Sequence, residues 1–272
     1  MNKNNTLNYI KTENFVASKK LGQNFLVNAD IKRKIVNSAN IKENKFIVEI
    51  GPGLGSITEI ILENKNINLL AIELDKRLYD FLGNKFRNYA NFKIINNDVL
   101  DVNLDEIVDR NFIVIANLPY SISSKIIARL CSSKNIEYAI IMVQKEMAQR
   151  ICAKPNSSNY NGFSAWLSLC ADIEFLFDVS AKNFIPPPKV MSTVVKINFK
   201  NRYSTEQLLE YKNFFSKCFA SKRKTLVNNL SNFFDRNKVV QTLYNLSIDK
   251  NIRAENLSAN ELLNILEKLN QF

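Results

Sequence analysis

Hydrophobic residues follow two alternating patterns over most of the chain. From about residue 46, short runs rich in Ile and Val are separated by segments whose apolar residues recur every three or four positions. The runs are typical of buried strands and the spaced segments of helices, so their alternation predicts a parallel sheet with helices on both faces. The predicted strands are 46–50, 68–74, 92–96, 112–117 and 138–143, and the clearest helices are 57–65 and 75–86.

The pattern changes towards the end of the chain. Apolar runs at 173–179 and 192–199 predict a hairpin-like edge that completes a seven-stranded sheet, and the three prolines at 186–188 predict an extended loop between them. From residue 203 the spacing is helical only.

This change predicts a domain boundary near residue 200. We expect an α/β domain over residues 1–200 and a small α-helical domain over residues 201–272. Within the first domain, the polar residues 1–18 are predicted to form a flexible, basic tail.

Basic side chains exceed acidic ones by 37 to 26, and the excess is unevenly placed. Residues 1–48 hold nine Lys and Arg against three Asp and Glu, and residues 203–272 hold ten against seven. An excess of this kind indicates either a polyanionic partner or a surface that favours solubility, and charge alone does not choose between them.

Composition excludes several classes of protein and site. No apolar run approaches the ~20 residues of a membrane span, and the polar first fifteen residues do not form a secretory signal. The four cysteines lack the spacing of metal ligands, which predicts reduced thiols, a cytoplasmic location and no metal site. The chain contains no histidine, which excludes imidazole-based catalysis and HExxH zinc sites.

A glycine-rich loop follows the first predicted strand. Gly51, Gly53 and Gly55 fall within five residues, and such a loop allows a ligand close to the backbone. Glu73 ends the next strand, where Rossmann-type folds bind ribose hydroxyls, and Asp98 follows the third strand as an acceptor for an adenine amino group or as a turn residue. The pattern favours a nucleoside ligand over a plain tight turn, but leaves NAD and S-adenosylmethionine open.

The fourth predicted strand ends in Asn117-Leu118-Pro119-Tyr120. This tetrapeptide resembles the motif of amino-group methyltransferases, in the form found in the rRNA adenine dimethyltransferases. The Asn117 side-chain oxygen and the Leu118 carbonyl would each accept a hydrogen of an adenine amine, which favours its nucleophilic form. Pro119 would keep Leu118 extended, and Tyr120 would stack on the base. No general base is needed, in agreement with the lack of histidine.

Four further segments resemble the same family. They are KLGQNFL at 20–26, FIPPPKV at 184–190, RKTLVNNL at 223–230 and RAENLS at 253–258. By this resemblance Asn24 and Leu26 contact the cofactor, and Phe184 lies against the target base opposite Tyr120. The chain departs from the family's pattern at Asn161 and at 220–222, near predicted RNA contacts.

The resemblance implies a Rossmann-like class I methyltransferase fold with a mostly parallel, seven-stranded sheet. It implies S-adenosylmethionine as cofactor and dimethylation of two adjacent adenines in the 3′-terminal hairpin loop of small-subunit (16S) rRNA. We expect a monomeric enzyme, not bound to membranes, that acts on an immature ribosomal particle. The predicted site residues are Asn24, Leu26, Gly51, Gly53, Glu73, Asp98 and Asn117 for the cofactor, Asn117, Leu118, Tyr120 and Phe184 for catalysis, and Lys19, Lys20, Lys222, Arg223 and Lys224 for RNA.

Two other functions are alternatives to dimethylation of small-subunit rRNA. A related resistance enzyme methylates one adenine of large-subunit rRNA, but the GQNFL, NLPY, PPPKV and RAENLS segments favour the small-subunit enzyme. A non-catalytic module, such as a ribosome-assembly factor or the related mitochondrial transcription factor, would tolerate loss of the glycine loop, Glu73 or Asn117. All three are present, which favours catalysis.

Overall fold

The computed structural model describes residues 3–12, 15–18 and 21–271 of the chain. The strands are β1 (Phe25–Leu26), β2 (Phe46–Ile50), β3 (Asn68–Glu73), β4 (Phe92–Asn96), β5 (Phe112–Asn117), β6 (Ile136–Gln144), β7 (Ala171–Val179), β8 (Phe184–Ile185) and β9 (Ser192–Phe199). The helices are α1 (Lys3–Thr12), α2 (Ala29–Ser38), α3 (Thr58–Ile61), α4 (Lys76–Lys85), α5 (Leu104–Ile107), α6 (Ser123–Leu130), α7 (Lys145–Ile151), α8 (Gly162–Cys170), α9 (Thr205–Cys218), α10 (Leu226–Leu230), α11 (Arg236–Asn245) and α12 (Ala259–Asn270).

Seven of the strands form one sheet in the order β4-β3-β2-β5-β6-β9-β7. The pairs β3–β4, β2–β3, β2–β5 and β5–β6 are parallel, and β9 runs antiparallel to β6. The predicted mostly parallel, seven-stranded α/β fold is therefore confirmed. Strand β5 lies at the centre, and Phe112–Ala116 are almost completely buried, as expected for a parallel strand whose two faces are both covered.

Contacts within the chain divide it into two compact units. The sheet unit comprises the described residues of Met1–Ala148 together with Glu174–Phe199, and the helical unit comprises Gln149–Ile173 and Lys200–Phe272. The sequence placed one boundary near residue 200, whereas the helical unit also takes in the segment that contains α8.

Hydrogen bonds hold helix α8 and the residues before it within the helical unit. The Trp166 indole N–H donates to the Leu208 carbonyl of α9 at 2.9 Å, and the Tyr160 hydroxyl donates to the Leu257 carbonyl at 3.1 Å. Asn161 caps α8 by accepting from the N–H groups of Phe163 and Ser164. The departure from the family's pattern at Asn161 thus coincides with a helix start.

Helix α1 and strand β1, near the start of the chain, were not predicted. Strand β1 pairs antiparallel with β8 through only two residues of each strand, too few for an alternating pattern. The described part of residues 1–18 corrects the prediction of a flexible tail, because it contains helix α1 and the buried ring of Phe15. The ring of Tyr9 lies 4.4 Å from that of Phe81 between centroids, and Phe15 lies 5.9 Å from Phe25. Aromatic packing on α4 and β1 therefore orders a segment of polar composition.

Candidate functional site

A cavity of about 260 Å³ opens at the carboxyl ends of the parallel strands in the sheet unit. Ligands of open α/β sheets bind at this edge. The cavity is lined by nine of the residues predicted from the sequence, which are Asn24, Leu26, Gly51, Gly53, Glu73, Asp98, Asn117, Leu118 and Tyr120. Residues more than ninety positions apart along the chain are therefore brought together as expected.

The glycine loop between β2 and α3 has positive φ angles and close neighbours, and both disfavour a side chain. Gly53 has a φ of +60°, and a Cβ atom there would lie 3.2 Å from the Phe25 ring. Gly55 has a φ of +74°, and its Cβ would lie 2.6 Å from Leu82 and 2.8 Å from Phe86. Glycine at both positions allows the loop to approach β1 and α4 while leaving the cavity open.

The carboxylate of Glu73 stands at the end of β3 and is almost buried. Its Oε2 accepts from the Gly53 N–H at 3.1 Å, and its Oε1 accepts from the Asp75 N–H at 2.9 Å. Burial raises the pKa of Glu73 to about 7, although these backbone hydrogen bonds oppose the shift. Each oxygen keeps further acceptor capacity, so the carboxylate can bind two hydroxyl groups side by side.

A second buried acid, Glu49 of β2, lines the cavity beside it. Its Oε2 accepts from the Thr58 hydroxyl at 2.6 Å. Burial raises the pKa of Glu49 to about 7, with a smaller contribution from the charge of Glu73. Glu49 was not predicted as a site residue, although a single acid within the apolar run FIVEI indicates a buried carboxylate.

The motif after β5 presents polar groups to the cavity. The Asn117 amide nitrogen donates to the Asn24 carbonyl at 3.3 Å, which leaves its Oδ1 as an acceptor that no described residue occupies. The Leu118 N–H donates to the Met142 carbonyl at 3.1 Å, and its side chain is buried. Within the described residues, no hydrogen bond ends on the Leu118 carbonyl either. Two acceptors thus lie on adjacent residues at the cavity.

Tyr120 is fixed by its hydroxyl, which lies 3.1 Å from the Ser192 hydroxyl at the start of β9. Burial raises the pKa of Tyr120, so the phenol stays neutral near pH 7.

Asp98 lines the cavity and also stabilises the turn after β4. Its Oδ1 accepts from the Leu100 N–H at 2.9 Å.

Comparison with known proteins decides the family. The family described as Ribosomal RNA adenine dimethylase matches residues 14–271. The chain belongs to this family. The resemblance inferred from the sequence motifs is therefore confirmed.

Individual relatives agree with this assignment. The chain is 47% identical to the Ribosomal RNA small subunit methyltransferase A of Ureaplasma parvum over 100% of both chains, and 43% identical to that of Malacoplasma penetrans over 93% and 92%. A dimethyladenosine transferase structure from Plasmodium falciparum is 27% identical, with a TM-score of 0.78 over 91% of this chain and 98% of that one. The 23S rRNA methyltransferase ErmE, at 22% identity and a TM-score of 0.68, shares the fold.

Phe184 is the one catalytic prediction that the structure places away from the cavity. Its ring is 2% exposed and belongs to the hydrophobic core with Leu26, Val179 and Val194. Its backbone pairs with Leu26 in the β1–β8 ladder. The ring therefore packs in the core and is not among the residues that line the cavity, and its contact with the target base stays a prediction.

Three of the five predicted RNA contacts are described, and all three belong to the helical unit. Lys19 and Lys20 fall outside the described residues. In the helical unit, the Lys222 ammonium donates to the Ser158 carbonyl at 2.6 Å and lies 3.7 Å from Glu255. Arg223 and Lys224 are exposed in the turn before α10.

Residues 3–12, 15–18 and 21–271 contain neither a candidate metal site nor a candidate membrane span. No cluster of three or more His, Cys, Asp or Glu side chains is arranged to hold a metal ion there. No helix of that part is long and apolar enough to cross a membrane.

Proposed function

We propose that this member of the family uses S-adenosylmethionine to dimethylate two adjacent adenines of small-subunit rRNA. The observation that carries the proposal is the single cavity that Glu73 and Asn117 share. A ribose-binding carboxylate and an amine-binding amide on one cavity suit transfer between a nucleoside cofactor and an amino group. The relatives named for the small ribosomal subunit, identical at up to 47% of positions over the full chain, support the choice of RNA.

Three features of the cavity fit S-adenosylmethionine. The Glu73 carboxylate, held by two backbone N–H groups, would accept hydrogen bonds from the two ribose hydroxyls. Gly51 and Gly53 have positive φ angles and no side chains, so the backbone of the loop can lie close to the ligand. Asp98 lines the cavity beyond β4, where it would accept from the adenine amino group, and Asn24 and Leu26 would cover the ligand from β1.

The bound cofactor supplies a methyl group on a positively charged sulfur. The protein's own contribution is to make the target amine nucleophilic. The amine lone pair is delocalised into the adenine ring, and acceptors at Asn117 Oδ1 and the Leu118 carbonyl favour the pyramidal form that exposes it. Transfer would form the N–C bond and break the bond between the methyl group and sulfur, which leaves a neutral thioether, and the methylated nitrogen would then release its proton to water. Neither step needs a histidine.

The target base needs an apolar surface as well as acceptors. The half-buried ring of Tyr120, fixed through Ser192, is the surface that we assign to stacking on the base. A base in a loop is already unpaired, so little unstacking energy is needed to bring it to this ring. We expect the hairpin loop near the 3′ end of the RNA, within an immature particle, to be the substrate of a monomeric, cytoplasmic enzyme.

A non-catalytic assembly factor is the second candidate function. It would require none of the cavity's chemistry, yet the glycine loop, both buried acids and Asn117 are all arranged around the cavity. We therefore propose catalysis, which can coexist with a role in assembly.

The first prediction concerns the substrate. Tritiated methyl groups should enter immature small subunits as dimethyladenine near the RNA 3′ end, and protein-free large-subunit RNA should remain unlabelled. Incorporation confined to the large-subunit RNA would show that the resistance-type activity is correct instead.

The second prediction concerns the amine acceptor. Asn117→Ala should reduce the maximal rate by about 10²-fold or more, since the missing oxygen acts on the reacting amine, while binding to the particle stays nearly unchanged. Turnover near the parent's level in a folded variant would contradict the role of Asn117. Glu43→Gln, at an exposed position, serves as the control.

The third prediction concerns RNA contacts. We propose that Arg223 and Lys224 neutralise phosphates, because both are exposed while Lys222 is held by Ser158. The double variant Arg223→Ala/Lys224→Ala should weaken particle binding and flatten its salt dependence by about 1.4–1.8 in logarithmic slope. Affinity for the cofactor should not change. Lys250→Ala, an exposed lysine of the same unit, is the matched control, and equal slopes in both variants would remove the proposed contacts.

A further inference from the structure

A polar cluster lies beside the cavity and is not explained by the residues assigned above. It consists of Gln23, Asp75 and Arg77, which we call the latch. The Gln23 side-chain amide donates to Asp75 Oδ2 at 2.8 Å, and its Oε1 accepts from the Ser18 N–H at 2.7 Å. Gln23 therefore connects the segment before β1 to the segment after β3, fifty-two positions away.

Asp75 makes contacts in four directions. Its carboxylate caps α4 through the Arg77 N–H, and it pairs with the Arg77 guanidinium at 2.7 Å and 3.0 Å. It also accepts from Gln23, and its own N–H donates to Glu73 Oε1. The Arg77 guanidinium, assisted by Gln23, lowers the pKa of Asp75 against the effect of burial. The ionised Asp75 side chain thus links Gln23, in a segment that lines the cavity, to the backbone that donates to Glu73.

Aromatic packing continues from the latch towards the glycine loop. The Arg77 guanidinium lies over the Phe15 ring at 4.4 Å, and Phe15 packs against Phe25. The Phe25 ring in turn faces Gly53, the residue whose N–H donates to Glu73. The latch therefore includes the donor to Glu73 Oε1, and the aromatic rings pack against the residue that donates to Oε2.

We infer that Gln23 and Asp75 are positioning residues, which hold the segment around β1 over the cavity and orient Glu73 towards the cofactor. The inference deepens the proposed function and rests on it. Neither residue is required to touch the target amine. Loss of the latch should weaken cofactor binding and raise the KM for the cofactor, while the rate at saturating cofactor stays close to that of the parent.

Reversal of the polarity of the Gln23–Asp75 hydrogen bond separates positioning from general stability. In Gln23→Glu, a carboxylate faces the carboxylate of Asp75, and in Asp75→Asn an amide N–H₂ faces that of Gln23. In the double variant the Asn amide would donate to the Glu carboxylate, and its oxygen would still cap α4 and accept from the Arg77 Nε–H. The terminal Arg77 nitrogen, which loses its acceptor at Asp75 Oδ2, would pair with the new carboxylate at position 23. Both single changes remove the bond, and the combination restores it with donor and acceptor exchanged.

Calorimetric titration with S-adenosylhomocysteine tests this inference. Each single variant should bind about tenfold more weakly, as expected for loss of one charge-assisted hydrogen bond, and the double variant should recover to within about threefold of the parent. Gln23→Met, which removes the bond without adding charge, should match the single variants. Gln241→Glu, at an exposed glutamine, should bind as the parent does.

The outcomes are distinct. Parent-like affinity in the folded single variants, or a double variant no tighter than they are, would overturn the positioning role. A loss of thermal stability without a change in affinity would do the same. If the parent itself fails to bind the ligand, the proposed function is wrong, and the inference falls with it.

Discussion

The buried carboxylate of Glu73 is the constraint on which the site depends. A carboxylate at 6% exposure needs hydrogen-bond donors, and the backbone N–H groups of Gly53 and Asp75 each donate to one of its oxygens. The first donor requires the glycine loop to turn back towards β3, which the positive φ of Gly53 permits. The second requires the chain to turn directly after β3 into the cap of α4. The parallel register of β2 and β3 aligns both turns at one edge.

The same constraint sets the chemistry available. Glu49 and Glu73 lie at the ends of neighbouring strands, and burial raises the pKa of both to about 7. A ligand that carries positive charge and ribose hydroxyls would favour the ionised carboxylates. On the other side of β2, strand β5 ends in Asn117, whose free oxygen faces the same cavity. The proposed contacts to the cofactor and to the amine would therefore come from the two strands that flank β2.

Sequence patterns predicted the sheet well, because strands buried on both faces read as continuous apolar runs. The run at 112–117 matches β5 in full, and Glu73 and Asn117 were located because each ends such a run. Shorter elements carried no pattern, as in the two-residue pairing of β1 with β8. The packing of Phe15 and the core position of Phe184 depend on contacts with residues distant along the chain, which a motif does not report.

The most direct test of the account is the pH dependence of cofactor binding in the parent and in Glu73→Gln. Deprotonation of Glu73 creates the acceptor for the ribose hydroxyls, so parent affinity for S-adenosylhomocysteine should rise between pH 6 and pH 8, across its pKa of about 7. In the variant, an amide N–H₂ would face a backbone N–H, so binding should be at least about tenfold weaker at pH 8. Glu49 is present in both proteins, and loss of the Glu73 charge removes only a smaller contribution to its raised pKa, so the difference between their pH profiles reports mainly Glu73. Equal affinities, or parallel pH profiles, would contradict the central role of this carboxylate.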